Sequence, residues 1–185
     1  MKKLIMVLCL FFLSGCGNQH LKARDSFLFI KTTEYYGACT GNSCQPLRTI
    51  RGSGSSVLVH NTEKKSYVLT AAHLCTMMYD QGGFPKMMID MLLAQKKGKK
   101  LSKSQELVAV DLKGLSYKAK VIAQEKNTDL CLLEVDRLKR EPVKVAKHRP
   151  KIAEKVFNVA APAGVFGKNM VPLFYGYYAG RSLNP

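Results

Sequence analysis

What this chain can fold into is limited first by its apolar pattern. Short runs rich in β-branched and aromatic residues recur along it, bounded by glycine, asparagine or lysine. They are Ser26–Thr33, Arg51–His60, Ser66–Thr70, Leu107–Leu112, Ser116–Ala123, Leu130–Val135, Val156–Ala161 and Val171–Tyr178. Runs of this length and composition read as strands. A loop is expected over Gly37–Pro46, and turns over Asn61–Lys65 and Lys113-Gly114. Many short strands with turn signals between them, and no repeat of fixed period, predict an all-β barrel or sandwich. At 185 residues and 46% hydrophobic content the chain can bury a core, in one domain or at most two.

Residues 84–104 break the pattern. A dense cluster, Met87, Met88, Ile89, Met91, Leu92 and Leu93, precedes Lys96, Lys97, Lys99, Lys100 and Lys103. The expected form is an inserted surface helix packed on the barrel, followed by a lysine-rich loop. The other form is a short amphipathic helix lying on anionic lipid. The chain carries 29 Lys+Arg against 13 Asp+Glu, a net charge of +16. That balance suits an anionic partner or a solvated basic surface. No zinc-finger spacing or aromatic RNA-binding signature accompanies it, so no nucleic-acid partner is expected.

Lys2 and Lys3 precede an unbroken apolar run, Leu4–Leu13. It is too short to span a bilayer, which needs about 20 residues, and it fits the core of a signal peptide. Leu13-Ser14-Gly15-Cys16 then resembles the bacterial lipobox. The resemblance implies a signal peptide over 1–15, a lipid anchor on Cys16 and a tether over 16–25. It also implies an exported protein on the periplasmic or extracellular face of a bacterial membrane. Gly17 follows Cys16 in place of the Asp of inner-membrane retention, which implies the outer membrane in a Gram-negative cell.

Cys39, Cys44, Cys75 and Cys131 remain beyond the signal peptide and Cys16. An even number of cysteines in an oxidising compartment argues for disulfides. Four cysteines allow three pairings, and the sequence does not choose among them. The expected pairing is Cys39–Cys44, pinning the Ala38–Ser43 loop, with Cys75–Cys131 closing a long one. A zinc site built from His73, Cys75 and Cys131 is the competing arrangement, but no Cys-x-x-Cys pair supports it. No metal and no cofactor are expected.

One ordered set of motifs carries chemistry. Ser66-Tyr67-Val68-Leu69-Thr70-Ala71-Ala72-His73 resembles the catalytic-histidine strand of the trypsin-like serine protease family. Gly54-Ser55-Ser56-Val57-Leu58-Val59 resembles the glycine-rich strand before it. Thr128-Asp129-Leu130-Cys131-Leu132-Leu133-Glu134-Val135 resembles the catalytic-aspartate motif. The resemblance implies a double β-barrel, with the first barrel complete over 26–150 and the second only partial over 151–185. His73 would be the general base and Asp129 its orienting carboxylate. Ser53, Ser55 and Ser56 read as structural, and His20, His60 and His148 as surface residues.

The family's nucleophile lies in a Gly-x-Ser-Gly turn of the second barrel, about 90 residues after the aspartate in the chymotrypsin template. Val159–Gly164 and Val171–Arg181 resemble the opening strands of that barrel, and Ser182 lacks the glycine context. The nucleophile is therefore not expected in this chain. The expected function is a membrane-anchored serine endopeptidase acting on a protein or peptide substrate, inactive as these 185 residues. The alternative is a non-catalytic protease-like lipoprotein that serves as a binding module.

Overall fold

The computed structural model describes residues 23–181. Cys16, the signal-peptide reading, His20 and Ser182 lie outside them. Eight strands run β1 Phe27–Thr40, β2 Ser43–Asn61, β3 Lys65–Ala71, β4 Lys100–Val110, β5 Ser116–Glu125, β6 Leu130–Asp136, β7 Lys155–Val159 and β8 Leu173–Tyr177. Three helices, α1 Ala72–Cys75, α2 Met78–Gln81 and α3 Gly83–Ala94, fill the connection from β3 to β4.

The first six strands close into an antiparallel barrel in the order β1-β2-β3-β6-β5-β4. Closure leaves no unpaired edge around the ring. Alternation explains the core. In β3, Ser66, Val68 and Thr70 face inward; in β6, Cys131, Leu133 and Val135 do. Val68, Cys131, Leu133 and Val135 meet Leu28, Ile30, Leu58 and Leu107 in one buried cluster.

The apolar run opening β1 is buried on both faces. Leu28 and Ile30 enter the barrel, while Phe27 and Phe29 join a second cluster with Val110, Leu112 and Ala161. Phe29 stacks on Phe166 with ring centroids 4.8 Å apart. That cluster seats the remaining two-stranded sheet, β7-β8, on the barrel. Ser55 adds a polar tie, its hydroxyl accepting the Ala161 N–H at 2.9 Å.

The structure corrects the loop expected over Gly37–Pro46. Both β1 and β2 continue through it, and the turn shrinks to Gly41-Asn42. Pairing of β1 with β4 from Phe29↔Val110 to Cys39↔Lys100 supplies hydrogen bonds that local propensity does not reveal. Pro46 is accommodated next to a register shift at Tyr36/Gly37, where a missing N–H costs little. The same ladder draws Lys100 and Lys103 into β4, so the lysine-rich loop is shorter than expected.

Disulfides join Cys39 to Cys44 across the hairpin and Cys75, the last residue of α1, to Cys131 of β6. The second pair takes both sulfurs that the zinc alternative needed. At the far rim, the Asp111 carboxylate accepts N–H groups of Lys113 and Leu115 at 2.8 and 3.0 Å and pairs with Arg140 at 3.0 Å.

Candidate active site

Antiparallel pairing of β3 with β6 sets Ala71 against Leu130 and Thr70 against Cys131. The residue just past the end of β3's partner run and the residue just before β6 are therefore neighbours. His73 lies two residues beyond Ala71, inside α1, and Asp129 immediately precedes Leu130. Asp129 adopts φ 53°, a left-handed conformation that Asp tolerates better than most side chains.

Bonds from Ala72 and His73 hold Asp129 against the start of α1. The Asp129 carbonyl accepts the Ala72 N–H at 3.0 Å. Its Oδ1 accepts the His73 backbone N–H at 2.9 Å. The His73 Nδ1 lies 3.1 and 2.9 Å from Oδ1 and Oδ2. The backbone N–H of His73, then its ring, hold the Asp129 carboxyl below the usual carboxylate range. With Nδ1 donating to the carboxylate, Nε2 is the nitrogen left to accept a proton. The side chains are 60% and 54% exposed, so water and salt screen their attraction. The pair is oriented rather than desolvated.

The groups that hold α1 carry no motif legible in the sequence. A four-residue helix has little stability of its own. Gln124 donates to the Ala72 carbonyl at 3.0 Å, Gln81 to the His73 carbonyl at 2.8 Å and Gln105 to the Leu74 carbonyl at 3.1 Å. These three glutamines come from β5, α2 and β4, and they satisfy the carbonyls that a helix end leaves open. The disulfide adds a covalent clamp, since Cys75 and Cys131 each sit two residues beyond His73 and Asp129.

Glu34 and Tyr36 stand one shell further out, both buried at 2% exposure. The Glu34 carboxylate accepts the Met78 N–H at 3.0 Å and the Tyr36 hydroxyl, which itself accepts the Tyr79 N–H at 3.2 Å. Burial, then the bond to Glu34, push the Tyr36 hydroxyl far above its ordinary pKa. Together they pin the start of α2, whose last residue is Gln81. Glu34 occupies an inward position of β1's alternation, and a charge there was the available signal.

Ser56 is buried and donates to the Leu28 carbonyl at 2.9 Å, and Ser53 and Ser55 lie on β2 beside the turn at 161–164, consistent with structural roles. His60 and His148 are exposed. No group of three metal-ligating side chains occurs among the described residues. A cleft lined by Asp25, Leu112, Arg140 and Val143 opens at the other rim of the barrel and shares no residue with the pair.

Comparison with known proteins is consistent with this geometry. A profile of the trypsin-like peptidase domain matches residues 52–178, a stretch that contains both His73 and Asp129. No curated protein matches the sequence. Among solved structures, the serine endoprotease from Yersinia pestis is similar in fold, with a TM-score of 0.52 at 13% identity. The alignment covers 86% of this chain and 42% of that one, so the chain spans less than half of that protein's length. A likeness at this identity is one of fold alone.

Proposed function

Because the chain belongs to the trypsin-like peptidase family, we propose that it carries the His–Asp half of a serine endopeptidase site. His73 is the general base and Asp129 the carboxylate that orients it. The observation that supports this most is the bond of Nδ1 to both Asp129 oxygens, reinforced by the backbone N–H of His73. A serine hydroxyl is a weak nucleophile until an adjacent base takes its proton. In the proposed cycle Nε2 accepts that proton as the oxygen attacks a peptide carbonyl, then returns it to the leaving amine. Asp129 stabilises the imidazolium in between and stays ionised.

The bonds of the His73 ring run to Asp129, and no serine hydroxyl among the described residues is bonded to it. The endopeptidase reading further requires a serine within hydrogen-bond reach of the His73 Nε2. The same observation favours the second reading, a protease-like barrel used for binding. We further assign the protein to the periplasmic or extracellular face of a bacterial membrane, anchored through Cys16. The Leu13–Cys16 motif supports that location, as do two disulfides of the kind that persist in oxidising compartments.

A fluorophosphonate probe, which labels only activated serines, decides between the readings. Applied to the protein as its own cell makes it, the probe should label it, and His73→Ala should remove the labelling. Absence of labelling in the native protein, or labelling that survives His73→Ala, refutes the endopeptidase reading.

A further inference from the structure

Helix α3 gives the barrel only one of its faces. Ile89 is fully buried. Lys86 and Asp90 pair at 2.5 Å along one flank, and Asp90 also accepts the Tyr79 hydroxyl at 2.8 Å. With about 100° of rotation per residue, Phe84, Met87 and Met91 share an arc of roughly 60° directed away from Ile89. They are 69%, 53% and 61% exposed, an unpartnered apolar ridge on a basic protein. Lys96, Lys97, Lys99 and Lys100 follow the helix directly. No carboxylate among the described residues pairs with any of the four.

We propose that this ridge and its lysines dock on an anionic phospholipid bilayer. The chemistry of the two parts matches the two layers of such a surface. Phenylalanine and unbranched methionine side chains enter the boundary between headgroups and acyl chains, and the ammonium groups meet the phosphates above it. A protein partner is the poorer fit. The ridge is three side chains, well short of the roughly 800 Å² per partner of a standard interface, and four unpaired lysines beside it disfavour an apolar contact. The net charge of +16 draws the whole molecule toward an anionic surface before contact. Helix α2, next to α3, grips the His73 carbonyl through Gln81. Docking therefore sets the His73–Asp129 pair close to the lipid. The inference stands on α3 and its lysines, and it survives if the endopeptidase reading fails.

The chain contains no tryptophan, so Phe84→Trp in the full-length protein supplies a single reporter at an exposed position. Vesicles of phosphatidylcholine mixed with phosphatidylglycerol should shift its emission to the blue, and acyl-brominated lipid should quench it. Vesicles of phosphatidylcholine alone should do neither. Each lysine near an anionic surface strengthens binding about five-fold. Replacing Lys96, Lys97, Lys99 and Lys100 together by Ser should therefore weaken the response on the order of 100-fold or more. Three results overturn the proposal. The first is an unchanged emission while the protein sediments with vesicles, as an acyl chain on Cys16 alone would give. The second is an equal response on neutral lipid. The third is a blue shift that grows with protein concentration in the absence of lipid, which assigns the ridge to a second copy of the chain.

Discussion

Asp129 acts through its carbonyl, its carboxylate and its unusual backbone angle at once. The positive φ turns the carbonyl toward Ala72 and the carboxylate toward the N–H and ring of His73. Its folded-state pKa is lowered from an ordinary 3.8 by those donors. The linkage has a definite sign. The stabilisation is fully present above the unfolded value and is lost as pH falls through the lower folded value. Carbon-13 NMR of the Asp129 carboxyl should therefore give a midpoint below 3.8, and His73→Ala should raise it. A midpoint at or above the ordinary value would show that the two residues are not bonded in solution.

Among the elements, α1 depends most on its neighbours, and Gly54 on β2 is where that dependence is tightest. A Cβ at Gly54 would meet Leu74 Cδ1 at 2.2 Å and Cγ at 3.3 Å. Leu74 sits between His73 and Cys75, so Gly54→Ala must drive the Leu74 side chain into another rotamer or shift the helix that bears the histidine. Overpacking of this kind costs about 1–3 kcal/mol. The urea midpoint should fall correspondingly and the His73 ring resonances should move; a variant with unchanged midpoint and spectrum would refute the contact. The sequence revealed the strands whose alternation is regular, β3 and β6 above all. It also marked His73 and Asp129 as a candidate pair, because each arrives in a motif joined to such a strand. Residues 37–46 misled, since Gly37, Gly41, Asn42 and Pro46 are turn formers that tertiary pairing overrode. Gln81, Gln105 and Gln124 were not legible, because a glutamine that caps a carbonyl from another element leaves no periodic trace.

At the scale of the molecule, two disulfides act on very different lengths of chain. Cys75–Cys131 encloses a sequence separation of 56 and Cys39–Cys44 one of 5. The chain-entropy account gives about 4 kcal/mol for the long loop and about 2 for the short one. Replacing Cys75 and Cys131 together by Ala should lower Tm about twice as much as replacing Cys39 and Cys44 by Ser. Differential scanning calorimetry reads the difference, and equal shifts would contradict a loop-length origin. The β7-β8 sheet sits outside the barrel's ring and rests on Phe27, Phe29 and Phe166. Its stability is tied to the outward face of β1.

That two-sided burial of β1 also bears on how the chain is made. The strand is the first to emerge, yet one of its ladders is completed by β4, and the ring closes only through β6. At about 5–20 residues per second, Phe27–Ile30 must wait several seconds for the partners that cover them. Through that interval the nascent chain exposes its most aromatic strand. Slower elongation between Thr40 and Lys100 should therefore favour aggregation, and a holdase bound to the first forty residues should favour a correctly closed barrel.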